Sequence, residues 1–345
     1  MIPSKTKKIN EVAVLIPAYQ PGPELIKLVS VLSHHFEIII IINDGSTSDE
    51  AEETLAHISK YQNLTTVNHD RNKGKGAAIK TGIAEVLTKF TKLSYFVTAD
   101  ADGQHRPEDI VNVALSLTNQ FQSDLVMGVR GFKQNTPFKS YFGNTLTSKI
   151  FKNAYGVDLP DTQTGLRGFN CNIAKNYLEI SENGYEFETS SLIYCLNNNI
   201  NIINVPITTV YHDGNSSSHF NPYIDSVKIY KVILGYTLSA VICFLIDFLF
   251  FLILLHTVGD IFFATIISRM ISGIANFILN YHILKSSQNF WFSAIKYLFT
   301  FIIVMFLSAY IVIFLSNIGL PVALAKILTD TSLFVAVYKL RSLIY

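Results

Sequence analysis

Four long apolar segments occupy the last third of this 345-residue chain and constrain its fold more than any other feature. Each approaches the roughly 20 residues that a helix needs to cross a lipid bilayer. Soluble helical bundles rarely contain four such segments in series joined by short connections, so we expect four transmembrane helices. Their expected positions are about 232–255, 261–284, 294–316 and 319–338.

The positions of lysine and arginine predict the orientation of these helices. Basic residues flank alternate connections, at Lys228, Lys231, Lys285, Lys296, Lys339 and Arg341. The other two connections contain neither lysine nor arginine. Because cytoplasmic loops carry the excess of these residues, we expect a multi-pass plasma-membrane protein with both termini in the cytoplasm. The segment before Val12 has no apolar stretch, which predicts that there is no signal peptide and agrees with this orientation.

The preceding two thirds of the chain alternate short apolar runs with helical patterns. Strands are predicted at 12–16, 37–42, 64–67 and 93–98, with helices at 24–33, 49–60 and 75–90. This alternation predicts an α/β domain with a mainly parallel sheet and helices on both faces. We therefore expect a cytosolic domain at residues 1–225 and an all-α membrane domain at residues 226–345.

Composition narrows the choice of partners. The formal net charge is only +1, which argues against a nucleic-acid partner because such proteins usually carry a basic face. The three cysteines, Cys171, Cys195 and Cys243, lack the spacing of a metal site and fit reduced thiols. Four of the histidines are interpreted as surface residues, namely His34, His35, His57 and His69.

Two acidic turns follow predicted strands, one at Asp44 and the other at Asp100 and Asp102. Ligands of parallel sheets bind outside the carboxyl ends of the strands, so both turns are expected to face one pocket. Two aspartates separated by one residue can give Mg²⁺ or Mn²⁺ two of the oxygen ligands that these ions prefer. The alternative is a solvated turn, in which aspartate and glycine are common.

A basic, glycine-rich segment, RNKGKGAA at 71–78, opens one of the predicted helices. Exposed backbone N–H groups at such a helix start are suited to binding phosphate. The spacing fits neither the P-loop nor the GxGxxG pattern, and a basic surface turn is the alternative. Together with the paired aspartates, the segment indicates a nucleotide diphosphate bridged by a metal ion.

Five motifs occur in order: IPAY at 16–19, NDGS at 43–46, KGKG at 73–76, DADGQ at 100–104 and GVR at 128–130. Their order and spacing resemble family 2 glycosyltransferases of the GT-A fold, in particular polyprenyl-phosphate sugar synthases related to dolichol-phosphate mannose synthase. The resemblance covers roughly residues 10–220. The apolar third resembles GtrA-like four-helix domains, notably in SR at 268–269 and NFILNY at 276–281.

The resemblance implies an inverting glycosyltransferase that uses a nucleotide sugar, either UDP-glucose or UDP-N-acetylglucosamine. The hexose or N-acetylhexosamine would go to a polyprenyl phosphate such as undecaprenyl phosphate, for modification of cell-envelope glycans. The alternative is a flippase or scaffold for a lipid-linked sugar, whose first domain only senses nucleotide. A homo-oligomer is possible, but the sequence does not reveal the oligomeric state.

The resemblance also implies roles for individual residues. Nucleotide-sugar contacts would come from Pro17, Tyr19, Asp44, Lys75, Asp100 and Asp102. A divalent cation, Mg²⁺ or Mn²⁺, would be held by Asp100, Asp102 and Gln104. Arg130 and Arg167 would meet the acceptor phosphate, and the catalytic group would be Asp102, Arg130 and Arg167. Two positions depart from the family, Pro21 in place of an acid and His212, in YHDG at 211–214, in place of a basic residue, usually arginine.

Other enzyme classes fit the sequence less well. A sugar nucleotidyltransferase would begin with a glycine-rich loop, where this chain has Pro17 and Tyr19. A processive polysaccharide synthase would carry a Gln-x-x-Arg-Trp motif, but the single tryptophan, Trp291, lies in the apolar third.

Four charged residues fall inside the predicted membrane helices, namely Asp247, Arg269, Lys326 and Asp330. Since intramembrane charges are costly and usually pair, we expect a cluster in which Asp247 faces Arg269.

Overall fold

The computed structural model describes residues 8–90, 93–119, 125–131, 138–208, 224–284 and 290–344. His212 and the rest of the segment 211–214 lie outside this range. The chain divides into two compact units, Met1–Ile229 and Tyr230–Tyr345, and each is described by itself.

One seven-stranded sheet forms the centre of the first unit. Its strands are β1 (Ile9–Ala18), β2 (Phe36–Asn43), β3 (Leu64–Asn68), β4 (Tyr95–Thr98), β5 (Leu125–Arg130), β6 (Arg167–Asn170) and β7 (Ile202–Ile207). Their order across the sheet is β3-β2-β1-β4-β6-β5-β7. Only β6 runs antiparallel to its two neighbours among these strands, so the predicted mainly parallel sheet is confirmed.

Helices connect the strands of this sheet. They are α1 (Pro23–His35), α2 (Asp49–Ile58), α3 (Lys75–Lys89), α4 (Pro107–Asn119), α5 (Phe138–Tyr155), α6 (Cys171–Tyr177) and α7 (Glu186–Asn197). The central strand β1 is fully buried over residues 12–16. Strands covered on both faces are typically continuous apolar runs, which is why this segment was recognisable from the sequence.

The sheet brings the two acidic turns to the same edge. Asp44 follows β2, and its backbone N–H donates to the carbonyl of Ala18 at the end of β1 (2.8 Å). Ala99 follows β4, and its N–H donates to the carbonyl of Leu15 on the other side of β1 (3.0 Å). Both turns therefore lie beside the carboxyl end of β1, at the edge where ligands bind in sheets of this kind.

Four long helices continue the chain: α8 (Ile224–Val258), α9 (Ile261–Leu284), α10 (Phe290–Asn317) and α11 (Val322–Ile344). Among the described residues, two windows are long and apolar enough to cross a membrane, Val241–Val258 and Ile261–Ile278, with mean hydropathy 2.6 and 1.7. A shorter apolar stretch is Phe301–Asn317. On α8, the side chains of Leu245 and Leu249 are among many large apolar groups that this unit leaves exposed. Such a surface is suited to lipid.

A cluster of charged residues is buried among these helices. Lys326 Nζ on α11 lies 2.6 Å from a carboxylate oxygen of Asp247 and 3.0 Å from one of Asp330. Arg269 Nη2 pairs with Asp330 and donates to the hydroxyl of Ser308 (3.0 Å). The predicted cluster is present, but the predicted pairing is wrong, because Asp247 pairs directly with Lys326. The sequence gives the position of a charged residue along its helix. It does not give the rotation of the helix about its axis, which determines the residue that pairs with this charge.

Lys326→Met is expected to destabilise this unit more than Arg269→Met. Lys326 is 0% exposed and contacts both carboxylates, whereas the side chain of Arg269 is 18% exposed and pairs with one. Removing one partner of a buried ion pair typically costs about 3–5 kcal/mol. The measurement is the thermal unfolding midpoint and the folded yield of the full chain in detergent.

Two double variants with the same charge test the pairing itself. Asp247→Asn should rescue Lys326→Met, since the Arg269–Asp330 pair stays intact. Asp330→Asn should rescue it less, because Arg269 then loses its carboxylate. If the Asp330→Asn double variant were the more stable one, the observed pairing would be contradicted.

Candidate functional site

The buried carboxylate of Asp44 shapes the glycine-rich turn. One oxygen accepts the backbone N–H of Lys73 (2.8 Å) and the other accepts that of Gly74 (2.9 Å). The first oxygen also lies 2.6 Å from Nδ1 of His69, whose Nε2 lies 2.9 Å from the hydroxyl of Thr81. Asp44 therefore holds the turn that leads into α3. His69 was expected on the surface, but its side chain is only 6% exposed, so that interpretation is wrong.

The turn after β2 packs directly against this segment. Gly45 has φ +72°, and a Cβ atom there would lie 2.5 Å from the Cα of Arg71. A side chain at this position would therefore push the two turns apart. Glycine is required here both for the backbone conformation and for the close approach.

Lys75, the first residue of α3, joins two carboxylates from distant parts of the chain. Its Nζ lies 2.5 Å from Asp100 Oδ1 and 2.7 Å from Glu188 Oε1, and it stands 5.8 Å from the ring centroid of Tyr185. Burial lowers the pKa of Lys75, but the charges of Asp100 and Glu188 outweigh burial and hold this pKa above its usual value. The ammonium therefore stays charged.

The two aspartates of the acidic turn are in different electrostatic environments. Burial raises the pKa of Asp100, but the adjacent Lys75 outweighs it and holds the pKa at about 2. Burial and the negative charge of Asp100 raise the pKa of Asp102 to about 6. Asp102 accepts the backbone N–H of Gln104 (3.1 Å). The turn thus holds one carboxylate compensated by lysine and a second that favours an additional positive charge.

These residues fit a divalent cation that is shared with a ligand. Asp100, Asp102 and Glu188 supply three carboxylates around one ammonium, which leaves two negative charges uncompensated. Within the described ranges, no group of three or more histidine, cysteine, aspartate or glutamate side chains is arranged to hold a metal by itself. Mg²⁺ is often bound by one or two carboxylates together with the phosphates of a substrate, which matches this donor set.

His105 contacts the backbone of the Asp100–Asp102 turn. Its Nδ1 accepts the backbone N–H of Asp100 (3.1 Å), which requires the ring to be unprotonated at that nitrogen. Burial lowers the pKa of His105 and outweighs the nearby Asp100 carboxylate. The neutral ring therefore fixes the backbone of the turn.

Arg130, at the end of β5, forms a two-pronged ion pair with Asp161. Its Nε and Nη2 donate to the two oxygens of Asp161, at 2.6 and 2.9 Å. The side chain of Asp161 is fully buried, whereas that of Arg130 is 15% exposed. The guanidinium is therefore held in a fixed orientation at the same edge of the sheet.

Arg167, at the start of β6, is enclosed by the domain. It is 3% exposed, and all three nitrogens donate to groups of the chain. The acceptors are the carbonyls of Thr164, Glu188 and Thr162 and the hydroxyl of Ser191. This geometry gives Arg167 a structural role, and its predicted contact with a phosphate would require these hydrogen bonds to break.

Pro17 and Tyr19, both half-buried, lie at the carboxyl end of β1, between the two acidic turns. The next residue, Gln20, has φ +48° and joins this end to the turn after β2. Its side-chain oxygen accepts the N–H groups of Thr47 and Ser48, which precede α2 (3.2 and 2.9 Å). The carboxyl end of β1 is thus tied to the turn after β2.

Three residues of the site received no firm role from the sequence, namely His69, Asp161 and Glu188. Glu188 lies in the acidic start of α7, where acids also occur for helix stability alone. Asp161 opens the motif DTQTGLR at 161–167, in which only the arginine was singled out. Their positions depend on contacts between distant segments, and no local pattern reports such contacts.

The family match lies within the first unit. The family model described as "Glycosyl transferase family 2" matches residues 13–178. The UDP-N-acetylglucosamine–dolichyl-phosphate N-acetylglucosaminyltransferase of Methanococcus voltae is 30% identical over 241 residues, which cover 64% of this chain and 94% of that protein. The dolichyl-phosphate beta-glucosyltransferase of Saccharomyces cerevisiae is 27% identical, over 64% of this chain and 72% of that protein.

A solved structure shares the fold. Glucosyl-3-phosphoglycerate synthase from Mycobacterium tuberculosis, crystallised with Mn²⁺, UDP and glucosyl-3-phosphoglycerate, matches with a TM-score of 0.50. The match covers 66% of this chain and 78% of that chain at 16% identity. At this level of identity the similarity concerns the fold alone.

Gly165→Ala is expected to strain the centre of the site. A Cβ atom at this position would lie 2.6 Å from Asp100 Oδ2 and 2.8 Å from Lys75 Nζ. Because both atoms end side chains that can shift, we expect a loss in the free energy of unfolding at the lower end of the about 1–3 kcal/mol that overpacking typically costs. Chemical denaturation of the full chain measures it.

Gly143→Ala, inside α5, is the comparison, and its alanine should itself stabilise the helix by about 0.5–1 kcal/mol. A Cβ atom there would meet its nearest neighbour, Gln163 Nε2, at 3.5 Å, which is an ordinary contact. Equal stability of the two variants would show that the Lys75–Asp100 pair is not confined by Gly165.

Proposed function

Since the chain belongs to glycosyl transferase family 2 and is therefore a glycosyltransferase, we propose that it glycosylates a polyprenyl phosphate in the membrane. The donor in this proposal is UDP-glucose or UDP-N-acetylglucosamine, and the transfer inverts the anomeric carbon. The acceptor class rests on relatives that are named for dolichyl phosphate, those of Methanococcus voltae and Saccharomyces cerevisiae. A further relative, from Mycolicibacterium smegmatis, is named polyprenol monophosphomannose synthase.

One observation carries the proposal for the donor. The Asp100–Asp102 turn carries excess negative charge and lies beside the glycine-rich start of α3, joined to it by the Lys75–Asp100 contact of 2.5 Å. A diphosphate with a bound divalent cation fits both parts of this arrangement. Its phosphates are attracted by Lys75 and by the start of the helix, and its cation is attracted by the aspartates.

In the proposed complex, Asp100, Asp102 and Gln104 hold the cation, Mg²⁺ or Mn²⁺. When bound, the cation stabilises negative charge that develops on the departing nucleoside diphosphate. Lys75 and the backbone N–H groups at the start of α3 orient the same diphosphate. Pro17 and Tyr19 line the side of the base and ribose. Asp44 contributes there by holding the adjoining turn, because its oxygens already accept hydrogen bonds from that turn.

The acceptor needs orientation more than activation. A phosphate monoester has its second pKa near 6, so its oxygen arrives ionised and requires no strong general base. Arg130 is the residue we assign to this phosphate, because a guanidinium fork suits phosphate oxygens and Asp161 fixes its plane. Direct attack of the phosphate oxygen on the anomeric carbon then inverts its configuration.

For the second unit we propose a GtrA-like membrane domain in which α8 to α11 all span the bilayer. Both termini would face the cytoplasm of the cell, as the lysine and arginine distribution predicts. Such a domain would keep the enzyme at the membrane that holds its lipid acceptor, with the product serving cell-envelope glycan modification.

The proposal is tested with the purified full chain, undecaprenyl phosphate and a panel of labelled nucleotide sugars. Label should enter the lipid phase with one of the two UDP sugars. Asp102→Asn and excess EDTA should each lower this transfer by at least about two orders of magnitude, the scale of losing a key electrostatic stabiliser. Full activity in EDTA would exclude the metal site. Absence of turnover with every donor would favour the flippase or scaffold alternative.

The two arginines are expected to respond differently to lysine. Arg130→Lys should raise the KM for the lipid phosphate by about tenfold, the equivalent of one charge-assisted hydrogen bond, and leave the KM for the nucleotide sugar unchanged. Arg167→Lys should instead lower the thermal unfolding midpoint, because its buried hydrogen bonds are lost. A selective rise in the acceptor KM of Arg167→Lys would assign the phosphate contact to Arg167.

A further inference from the structure

Lys75 occupies a position that a cation bound to Asp100 would compete for. Its ammonium lies 2.5 Å from Asp100 Oδ1, which is the distance of a direct ion pair. Two positive charges beside one carboxylate repel each other, and the repulsion is strong where water is largely excluded. Repulsion between the two positive charges therefore favours a longer contact between Lys75 and Asp100 when a divalent cation binds to Asp100.

Glu188 provides a second carboxylate for the same ammonium. Its Oε1 lies 2.7 Å from Lys75 Nζ. The start of α7 that carries Glu188 is fixed independently of Asp100, because Arg167 Nη1 donates to the Glu188 carbonyl (2.5 Å). Two further hydrogen bonds tie α3 to the segment before α7, from Ala77 N–H to the Asn183 carbonyl (2.9 Å) and from Lys80 Nζ to the Ile180 carbonyl (2.7 Å).

The backbone of Gly165 also lies close to the pair. Gly165 approaches so closely that a Cβ atom on it would overlap both the Asp100 carboxylate and the Lys75 ammonium. The ammonium therefore has Glu188 on one side and Gly165 on another. A displaced Lys75 would remain next to Glu188.

We propose that Lys75 is the counter-ion of Asp100 before a divalent cation binds, and that Glu188 keeps the ammonium in the site when the cation displaces it. Glu188 is thus a positioning residue that acts through Lys75. The inference rests on the proposed metal site at Asp100 and Asp102. In this inference the ammonium of Lys75 competes with the metal for Asp100.

The exchange predicts opposite effects of two substitutions on metal affinity. Lys75→Met removes the competing cation, so Mn²⁺ should bind more tightly. Glu188→Gln leaves a displaced ammonium without a carboxylate partner, so Mn²⁺ should bind more weakly. We expect a change of about tenfold in each direction in the dissociation constant, since charge interactions at contact distance readily exceed that scale.

The experiment measures Mn²⁺ binding to the full chain without nucleotide, by the paramagnetic resonance signal of free Mn²⁺. Glu186→Gln is the matched control, because it removes the same charge two positions earlier in α7, where Glu186 Oε1 accepts the N–H of Gly184. Its dissociation constant should stay within about twofold of the wild-type value. Equal weakening by Glu186→Gln and Glu188→Gln would overturn the inference, because it would show a general effect of charge.

The double variant Lys75→Met/Glu188→Gln identifies the route by which Glu188 acts. If Glu188 acts through Lys75, adding Glu188→Gln to Lys75→Met should change the affinity by no more than about twofold, and the double variant should bind Mn²⁺ more tightly than wild type. A tenfold loss in this background would mean that Glu188 attracts the cation directly, and would overturn the inference. The double variant removes one charge of each sign, so it also serves if Lys75→Met alone does not fold.

Asp102→Asn separates this inference from the proposed function. Wild-type protein should bind Mn²⁺ and Asp102→Asn should lose that binding. Absence of Mn²⁺ binding by wild type, both without nucleotide and with UDP added, would overturn the metal site and the inference with it. Binding that depends on Asp102 but does not change with Lys75→Met would overturn the exchange and leave the metal site intact.

Discussion

A lysine shared between two carboxylates is the contact that brings the elements of the candidate site together in the first unit. Lys75 starts α3, Asp100 follows β4 and Glu188 lies in the first turn of α7, so one ammonium joins three elements that are far apart in the chain. Withdrawing such charges from water costs several kcal/mol for each ion unless they are paired well. A buried ion group of this kind is poor evidence for stability, and it is better understood as part of a site that binds charged ligands.

Hydrogen-bond donors decide what each aspartate at this edge can do. Asp44 accepts two backbone N–H groups and lies against His69, so its carboxylate serves the adjoining turn. Asp102 accepts the N–H of Gln104 and has the charge of Asp100 beside it, which raises its pKa to about 6. Both residues follow strands that flank β1 and end at the same edge, yet one shapes the backbone and the other favours a cation.

The sequence predicted the features that depend on local pattern. Apolar runs such as residues 12–16 identify buried strands, and the rule for carboxyl ends then brings Asp44 and Asp100 to one edge. The sequence could not reveal that β6 lies antiparallel between β4 and β5, because a four-residue strand has little periodicity. Arg167, at the start of β6, donates to groups of residues 162, 164, 188 and 191, so a residue expected at a phosphate is held inside the domain. The partner of Asp247 was missed for a related reason, since contacts between helices depend on their rotation.

Charge balance distinguishes the two lysine-centred clusters of this protein. In each unit one lysine lies between two carboxylates, Lys75 between Asp100 and Glu188 and Lys326 between Asp247 and Asp330. The first cluster adds a further carboxylate, Asp102, and therefore carries excess negative charge that a cation can neutralise. The second adds Arg269, which pairs with Asp330 and brings the cluster to neutrality. A neutral set of charges needs no ligand to be stable in an apolar environment. We therefore interpret the cluster among the long helices as a clamp that holds them together, and the cluster at the edge of the sheet as the place where charged substrates bind.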